Sequence, residues 1–311
     1  MPVEQIALND QVVVVTGAGK GLGRAYALEL GRRGASVVVN DLPGTTDADA
    51  VVAEIEREGG TAASSYQDVT SRAGGKAIVD DAVERFGTIH GLVNNAGILR
   101  NNLFEDLTDE QIDSVLDVHV KGAFYVTQPA YRLMKENGYG RILNVSSNTA
   151  FGLFGLINYA AAKAGLFGLT TSLAIEGAEH GVLVNALFPN ATSTIMENDP
   201  IPGFAEDERF MAAFDAVAHN YGPETIGPLV AYLVSPACDV TGEGFSAMAG
   251  RYARVFYGHT QGWLCPSGHP TVEEIAAHMD QIRDTEGSLV PRSCRDEFEA
   301  VAALFQSQPL R

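Results

Sequence analysis

The sequence predicts an α/β fold: a doubly wound, parallel, seven-stranded Rossmann sheet followed by a C-terminal helical extension. Three observations predict it. Short β-branched runs alternate with helical stretches over roughly the first 250 residues, and each parallel crossover needs a helix to return the chain. A glycine-rich turn joins the first run to the first helix. Beyond about residue 250 the alternation stops and two amphipathic helical patterns take over. The organisation is therefore a dinucleotide-binding domain over 1–250, with a substrate loop at 190–223, and an extension over 251–311.

Residues 11 to 40 read QVVVV, TGAGKGLG, RAYALELGRRG and ASVVVN in succession: strand, glycine turn, helix, strand. Further strands are expected at 62–67, 89–94, 141–146, 182–188 and 243–248. The helices between them are expected near 47–58, 71–86, 108–136, 157–179 and 224–234. In the extension, Thr271 to Asp284 opens with a capping box (Thr271, Glu274) and aligns Val272, Ile275, Met279 and Ile282 on one face. A last helix near 295–306 aligns Phe298, Val301 and Phe305. These stripes need a surface to cover, either the parent domain or a second subunit.

At 311 residues with 46% hydrophobic composition, the chain can bury a large core. Its formal net charge of -18 repels polyanions, which argues against nucleic acid and anionic membranes as partners. No apolar run is long enough to span a bilayer, and the start MPVEQIALND lacks a signal-peptide pattern, so a cytoplasmic location is expected. Cys238, Cys265 and Cys294 are widely spaced and form no CxxC, so they read as free thiols with no metal site.

A negatively charged chain that binds a nucleotide must use local donors. The turn with Gly17, Gly21 and Gly23 offers them, because backbone N–H groups and the positive helix end can hold a pyrophosphate. Asp41, 18 residues after Gly23, closes the second strand. A carboxylate there bonds ribose hydroxyls and repels a 2'-phosphate, which favours NAD over NADP; Lys20, in the loop, pulls the other way. Asp68 and Val69, then Asn94, Asn95, Ala96 and Gly97, then Ser146 and Pro189, follow or end successive strands. The carboxyl ends of strands are where ligands bind in open α/β sheets.

The stretch NYAAAKAG puts Tyr159 and Lys163 four residues apart, on one helix face. Taken alone, the pair also reads as a half-buried tyrosine beside a snorkelling lysine. A free phenol titrates near roughly 10, so bringing it to neutral pH takes about 4 kcal/mol. A cation about 4 Å away at an effective dielectric near 20 supplies about that much.

Together TGAGKGLG, NNAG, the serine of NVSS thirteen residues before Tyr159, and YAAAK resemble the short-chain dehydrogenase/reductase family over roughly residues 5 to 250. The resemblance implies that Ser146 polarises the substrate oxygen, Tyr159 is the general acid/base, and Lys163 binds the nicotinamide ribose and lowers the tyrosine pKa. It implies cofactor contacts from Gly17, Lys20, Gly21, Leu22, Gly23, Asp41, Asp68, Val69, Asn95, Ala96, Gly97, Tyr159, Lys163, Pro189 and Ala191. His119 stands where the family usually carries an asparagine in a proton relay. It either serves that relay or is a bonded core histidine. Asn190 replaces a usual glycine.

NNAGILR, the histidine before VKGAF, SLAIEG, FPNA and GRYARVFYGHTQGW look like the dehydrogenase part of type-two peroxisomal multifunctional enzymes and their bacterial single-function relatives. That implies NAD-dependent oxidation of (3R)-hydroxyacyl-CoA to 3-ketoacyl-CoA by a homodimer or larger homo-oligomer. The ending QPLR is not a peroxisomal tripeptide, which favours a cytoplasmic enzyme. Ile195, Met196, Phe204, Phe210, Met211 and Phe214 are expected in a lid over an acyl chain, with Arg100 and Arg141 as candidate cations for the CoA phosphates. A steroid, a sterol side-chain CoA ester or another secondary alcohol is the rival substrate, and a dinucleotide-binding protein without turnover the rival class.

Overall fold

The structure, a computed structural model, describes residues 5–192, 201–202 and 207–307. Eight strands form one sheet in the order β3-β2-β1-β4-β5-β6-β7-β8. They are β1 (Val12–Val15), β2 (Ser36–Asp41), β3 (Thr61–Tyr66), β4 (Gly91–Asn94), β5 (Gly140–Val145), β6 (Val182–Asn190), β7 (Gly244–Met248) and β8 (Arg251–Val255). The first seven pair in parallel, with Val13 opposite Val37 on one side and Gly91 on the other. Strand order reverses direction between β1 and β4, the switch point where such sheets open a crevice.

The valine runs are continuous because both faces of a parallel sheet are covered. Val13, Val15, Val37 and Val39 face a core shared with Tyr26 and Leu30 of α1 (Gly21–Arg32), Ile55 of α2 (Asp47–Arg57) and, further along the chain, Val230. Val12, Val14 and Val38 face the opposite layer, with Ile78 of α3 (Arg72–Phe86) and later Val126 and Met134. This is the period-2 alternation of a strand carried across two layers.

The helix expected over 108–136 is interrupted. α4 (Asp109–Leu116) and α5 (Gly122–Asn137) are separated by a π-turn, Asp117–Lys121. An i→i+5 turn inserts one residue into the helical repeat, and here it carries His119 into the interior, where it is 2% exposed. α6 (Ile157–Ala178) carries Tyr159 and Lys163. α7 (Glu208–Val217) lies within the substrate loop, and α8 (Gly227–Leu233) supplies Val230. Ile195, Met196 and Phe204 fall outside the described residues, as does the terminal QPLR.

The eighth strand is a correction to the sequence reading. β8 follows β7 after Ala249 (φ 50) and Gly250 (φ 82), a two-residue turn of the type that reverses a strand. Its residues RYARV are mostly exposed, so they lack the buried-strand signature, and charged edge strands of this kind resist pairing with other chains.

Two compact units result, Met1–Arg254 and Val255–Arg311. In the second, Thr271 and Glu274 form the expected capping box. The single helix expected over 271–284 is instead α9 (Val272–Ala277) and α10 (Met279–Arg283), broken at His278, whose ring stacks on Trp263 at 3.9 Å. α11 (Cys294–Ser307) exposes Phe298, Val301 and Phe305. Among the described residues, no helix is long and apolar enough to cross a membrane.

Candidate active site

A cavity of about 510 Å³ opens at the carboxyl end of the sheet. The glycine turn forms one arm. Gly17 has φ 60, and a Cβ there would meet the Ala96 backbone at 2.7 Å; a Cβ on Gly23 would meet the Gly17 carbonyl at 2.3 Å. Only glycine lets loop, helix and β4 end approach this closely. No side chain caps the start of α1 and its first turn holds no acid, so its N–H groups are left for an anion. Asn95 ties the turn to β4 by donating to the carbonyls of Thr16 (2.9 Å) and Gly17 (3.0 Å).

Asp41 sits where β2 ends. Its two carboxylate oxygens accept the N–H groups of Gly19 (3.0 Å) and Leu42 (2.7 Å), which fixes the carboxylate at the rim. Lys20 does not oppose it; its ammonium pairs with Asp47 at 2.8 Å. Asp68 is committed to Thr70, accepting from its N–H (2.9 Å) and its hydroxyl (2.8 Å). Of the expected cofactor residues, Asp68, Val69 and Ala96 do not line the main cavity; the rest do. Val69 and Ala96 border a much smaller cavity instead.

The strand β5 delivers two serines, and alternation sends them to different environments. Ser146 is 1% exposed and its hydroxyl donates to the Lys163 carbonyl at 2.7 Å. Ser147 lines the same cavity, hydrogen-bonds Thr149 (Oγ1 at 3.0 Å) and makes a side-chain hydrogen bond with Tyr159. Both serines line the cavity, but Ser146, expected to polarise the substrate oxygen, is turned to the Lys163 carbonyl, whereas the serine bonded to the tyrosine is Ser147, twelve positions before it.

Helix α6 brings Tyr159 and Lys163 together as the spacing predicts, with the Lys163 nitrogen 5.4 Å from the Tyr159 ring centre. The helix start is fastened by Asn158, whose amide donates to the carbonyls of Arg100 (2.9 Å) and Gln111 (3.0 Å). Lys163 is 3% exposed and donates to the Val145 carbonyl at 2.6 Å. Burial pulls its ammonium down to about 7. Burial likewise pushes the Tyr159 phenol up to about 12, against the Ser147 hydrogen bond, which lowers it. In the free protein desolvation is thus the largest influence on the phenol, and it also weakens the charge of the Lys163 ammonium that was expected to lower it.

His119 packs edge-on against the Tyr159 ring, centroids 5.1 Å apart. Its Nε2 lies 2.8 Å from the Ile98 carbonyl and 3.1 Å from the Ile98 nitrogen. Burial, then Lys163, hold it well below the ordinary histidine range. The opposite arm of the cavity is apolar, with Leu99, Leu153, Leu156, Ile201, Phe210 and Phe214. Arg141 is no part of it: this residue is buried and donates to four carbonyls, those of Ser235, Gly140, Gly181 and Cys238. Arg100 is exposed, next to Leu99 at the cavity wall.

The sequence reading missed Ser147, Asn158, Leu153 and Tyr221 as site residues. Asn158 adjoins the tyrosine in NYAAAK, but nothing in that motif says that an amide there must anchor two loops.

Comparisons with known proteins agree with this fold. The family model described as short chain dehydrogenase matches residues 11–201. A Mycobacterium tuberculosis protein named as a short-chain type dehydrogenase/reductase is 39% identical over 292 residues, covering 91% of this chain and 97% of that one. The peroxisomal multifunctional enzyme type 2 of Drosophila melanogaster is 42% identical over 307 residues, covering 96% of this chain and 48% of that protein. The full-length structure of that fly enzyme superposes with a TM-score of 0.80 at 33% identity, covering 97% of this chain and 50% of that one. The chain thus spans about half the length of the fly enzyme.

Proposed function

The chain belongs to the short-chain dehydrogenase family, and from that premise we propose that it oxidises (3R)-hydroxyacyl-CoA to 3-ketoacyl-CoA with NAD. One observation carries the reading: Tyr159, Ser147 and Lys163 meet on a cavity with a glycine cradle at one arm and an apolar wall at the other. The naming of the fly relative as a multifunctional enzyme type 2 supports the choice of substrate.

The cradle fits a dinucleotide, since its glycines leave room that any Cβ would fill and its helix start is uncapped. Asp41, held by two N–H groups, and Lys20, engaged by Asp47, both favour NAD over a 2'-phosphorylated form. When bound, NAD supplies the hydride acceptor and a positive ring near the phenol. Ser147 donates to the substrate oxygen, and Tyr159 takes the hydroxyl proton as the carbon gives up its hydride. Lys163, anchored on Val145, keeps two donors for the ribose hydroxyls. Leu153, Leu156, Phe210 and Phe214 would line the acyl chain, and Arg100 is the exposed cation for the CoA phosphates. The apolar face of α11 supports a homodimer or larger homo-oligomer as the working form.

The test follows the absorbance of the reduced nicotinamide with R and S 3-hydroxyacyl-CoA of several lengths, free steroid alcohols, and NADP in place of NAD. Turnover of the R isomer with NAD is the expected result. Preference for the S isomer, for NADP, or for a steroid without CoA would overturn the assignment.

A further inference from the structure

Beneath the cavity, the ends of β1 and β4 and the π-turn enclose a small space of about 10 Å³. That is room for one water molecule and no more. Most of its wall is apolar, from Val69, Val118, Ala123 and Leu166. Three polar residues border it: Thr16, Asn94 and His119.

Their hydrogen-bonding capacity can be counted. Thr16 Oγ1 accepts from the N–H groups of Asn95 and Ala96, both at 3.0 Å, and donates to the Val93 carbonyl. Both protons of the Asn94 amide are committed, to Thr127 Oγ1 and Asn144 Oδ1, each at 2.8 Å. What remains is Asn94 Oδ1 and His119 Nδ1, each buried and without a hydrogen-bond partner among the described residues. His119 Nε2 faces both the Ile98 carbonyl, at 2.8 Å, and the Ile98 N–H, at 3.1 Å; the shorter contact is to an acceptor, and the tautomer it favours carries the proton on Nε2. Its burial beside Lys163 keeps the ring neutral, which leaves Nδ1 a bare lone pair. Two unmatched acceptors thus border one water-sized space, and burying them unpaired would cost about 1–3 kcal/mol each.

We propose that this space is the binding site of a single internal water, which donates one proton to Asn94 Oδ1 and the other to His119 Nδ1. The water locks His119 in its Nε2–H form. That form holds the Ile98 carbonyl, and hence the chain leading to Leu99 at the cavity wall, while the ring supports Tyr159 edge-on. His119 is then a positioning residue for Tyr159. It acts through its side chain and not by exchanging protons with the substrate.

The water site concerns the free protein and is independent of the alcohol oxidised; only the kinetic part of its test rests on the dehydrogenase reading. A high-resolution crystal structure of the native protein should show one water within hydrogen-bond distance of both atoms. Nitrogen-15 NMR of histidine-labelled protein at neutral pH should show His119 protonated at Nε2 alone. His119→Phe should lose the water and reduce kcat roughly tenfold while the KM for NAD stays within about twofold. A direct Asn94–His119 contact with no water between, or a proton on Nδ1, overturns the site, and both are read on native protein even if the variant does not fold. An unchanged kcat in folded His119→Phe overturns the positioning role.

Discussion

Strand β5 has a buried cation at each end, and the two are satisfied differently. At its start, the Arg141 guanidinium is 7% exposed, donates to four carbonyls and stacks over the Tyr139 ring at 4.4 Å. At its end, Lys163 is 3% exposed and has one protein acceptor, the Val145 carbonyl, among the described residues. Neither faces a carboxylate there. The arginine joins β5 to the Gly181 turn and the segment after α8, so it holds the fold. The lysine keeps donors in hand where the cavity is, and its charge is weakened by burial. A buried cation with most donors unmet marks a place for a ligand; one with four of its five donors matched by carbonyls marks a joint.

Substitutions at the two ends should separate these roles. Lys163→Met should reduce turnover roughly 10³-fold, because the phenol loses its one nearby cation and the ribose its donors. The same variant tests the stability linkage. Burial lowers the folded lysine from 10.5 to about 7, so between those values the unfolded chain binds the extra proton. Native stability should therefore rise with pH across that window, and Lys163→Met should lack this slope in urea unfolding series. An identical slope in both proteins would mean that the ammonium is not desolvated. Arg141→Met should do the opposite, lowering unfolding free energy by about 3 kcal/mol while kcat of the folded fraction stays unchanged. A loss of kcat without a loss of stability would erase the distinction.

The two serines at the end of β5 sharpen it further. Ser147→Ala should cost about 10² in kcat, whereas Ser146→Ala should change kcat less than threefold, about 0.6 kcal/mol. A reversed order in steady-state rates would return the role to Ser146.

That pair also shows where sequence reasoning stops. The sheet was legible because valine runs, glycine turns and helical periods are local signals, and the Tyr159–Lys163 pairing followed from helix geometry alone. The serine was placed by a counted interval through a loop, and an interval says nothing about which side chain turns toward the cavity. Arg141 was misjudged for a related reason: three acceptors on two distant segments leave no trace in its neighbours. The π-turn was invisible because one inserted residue barely alters a helical pattern, although it moves His119 inside. The edge strand β8 was missed because its residues are those of an exposed surface.

Tyr26 offers the smallest and cleanest variation on the same theme. Its side chain is fully buried on α1 within the core, its hydroxyl has no hydrogen-bond partner among the described residues, and burial pushes that hydroxyl well above the ordinary phenol range. Unlike Asn94 and His119, it borders neither of the two cavities described above. A polar atom with neither partner nor space for water is a cost without compensation. Tyr26→Phe removes that atom and keeps the ring, so unfolding free energy should rise by about 1 kcal/mol, read from the urea midpoint at constant slope. A loss of stability would show that the hydroxyl has a partner after all, and a lowered affinity for NAD with unchanged stability would identify that partner as the bound cofactor.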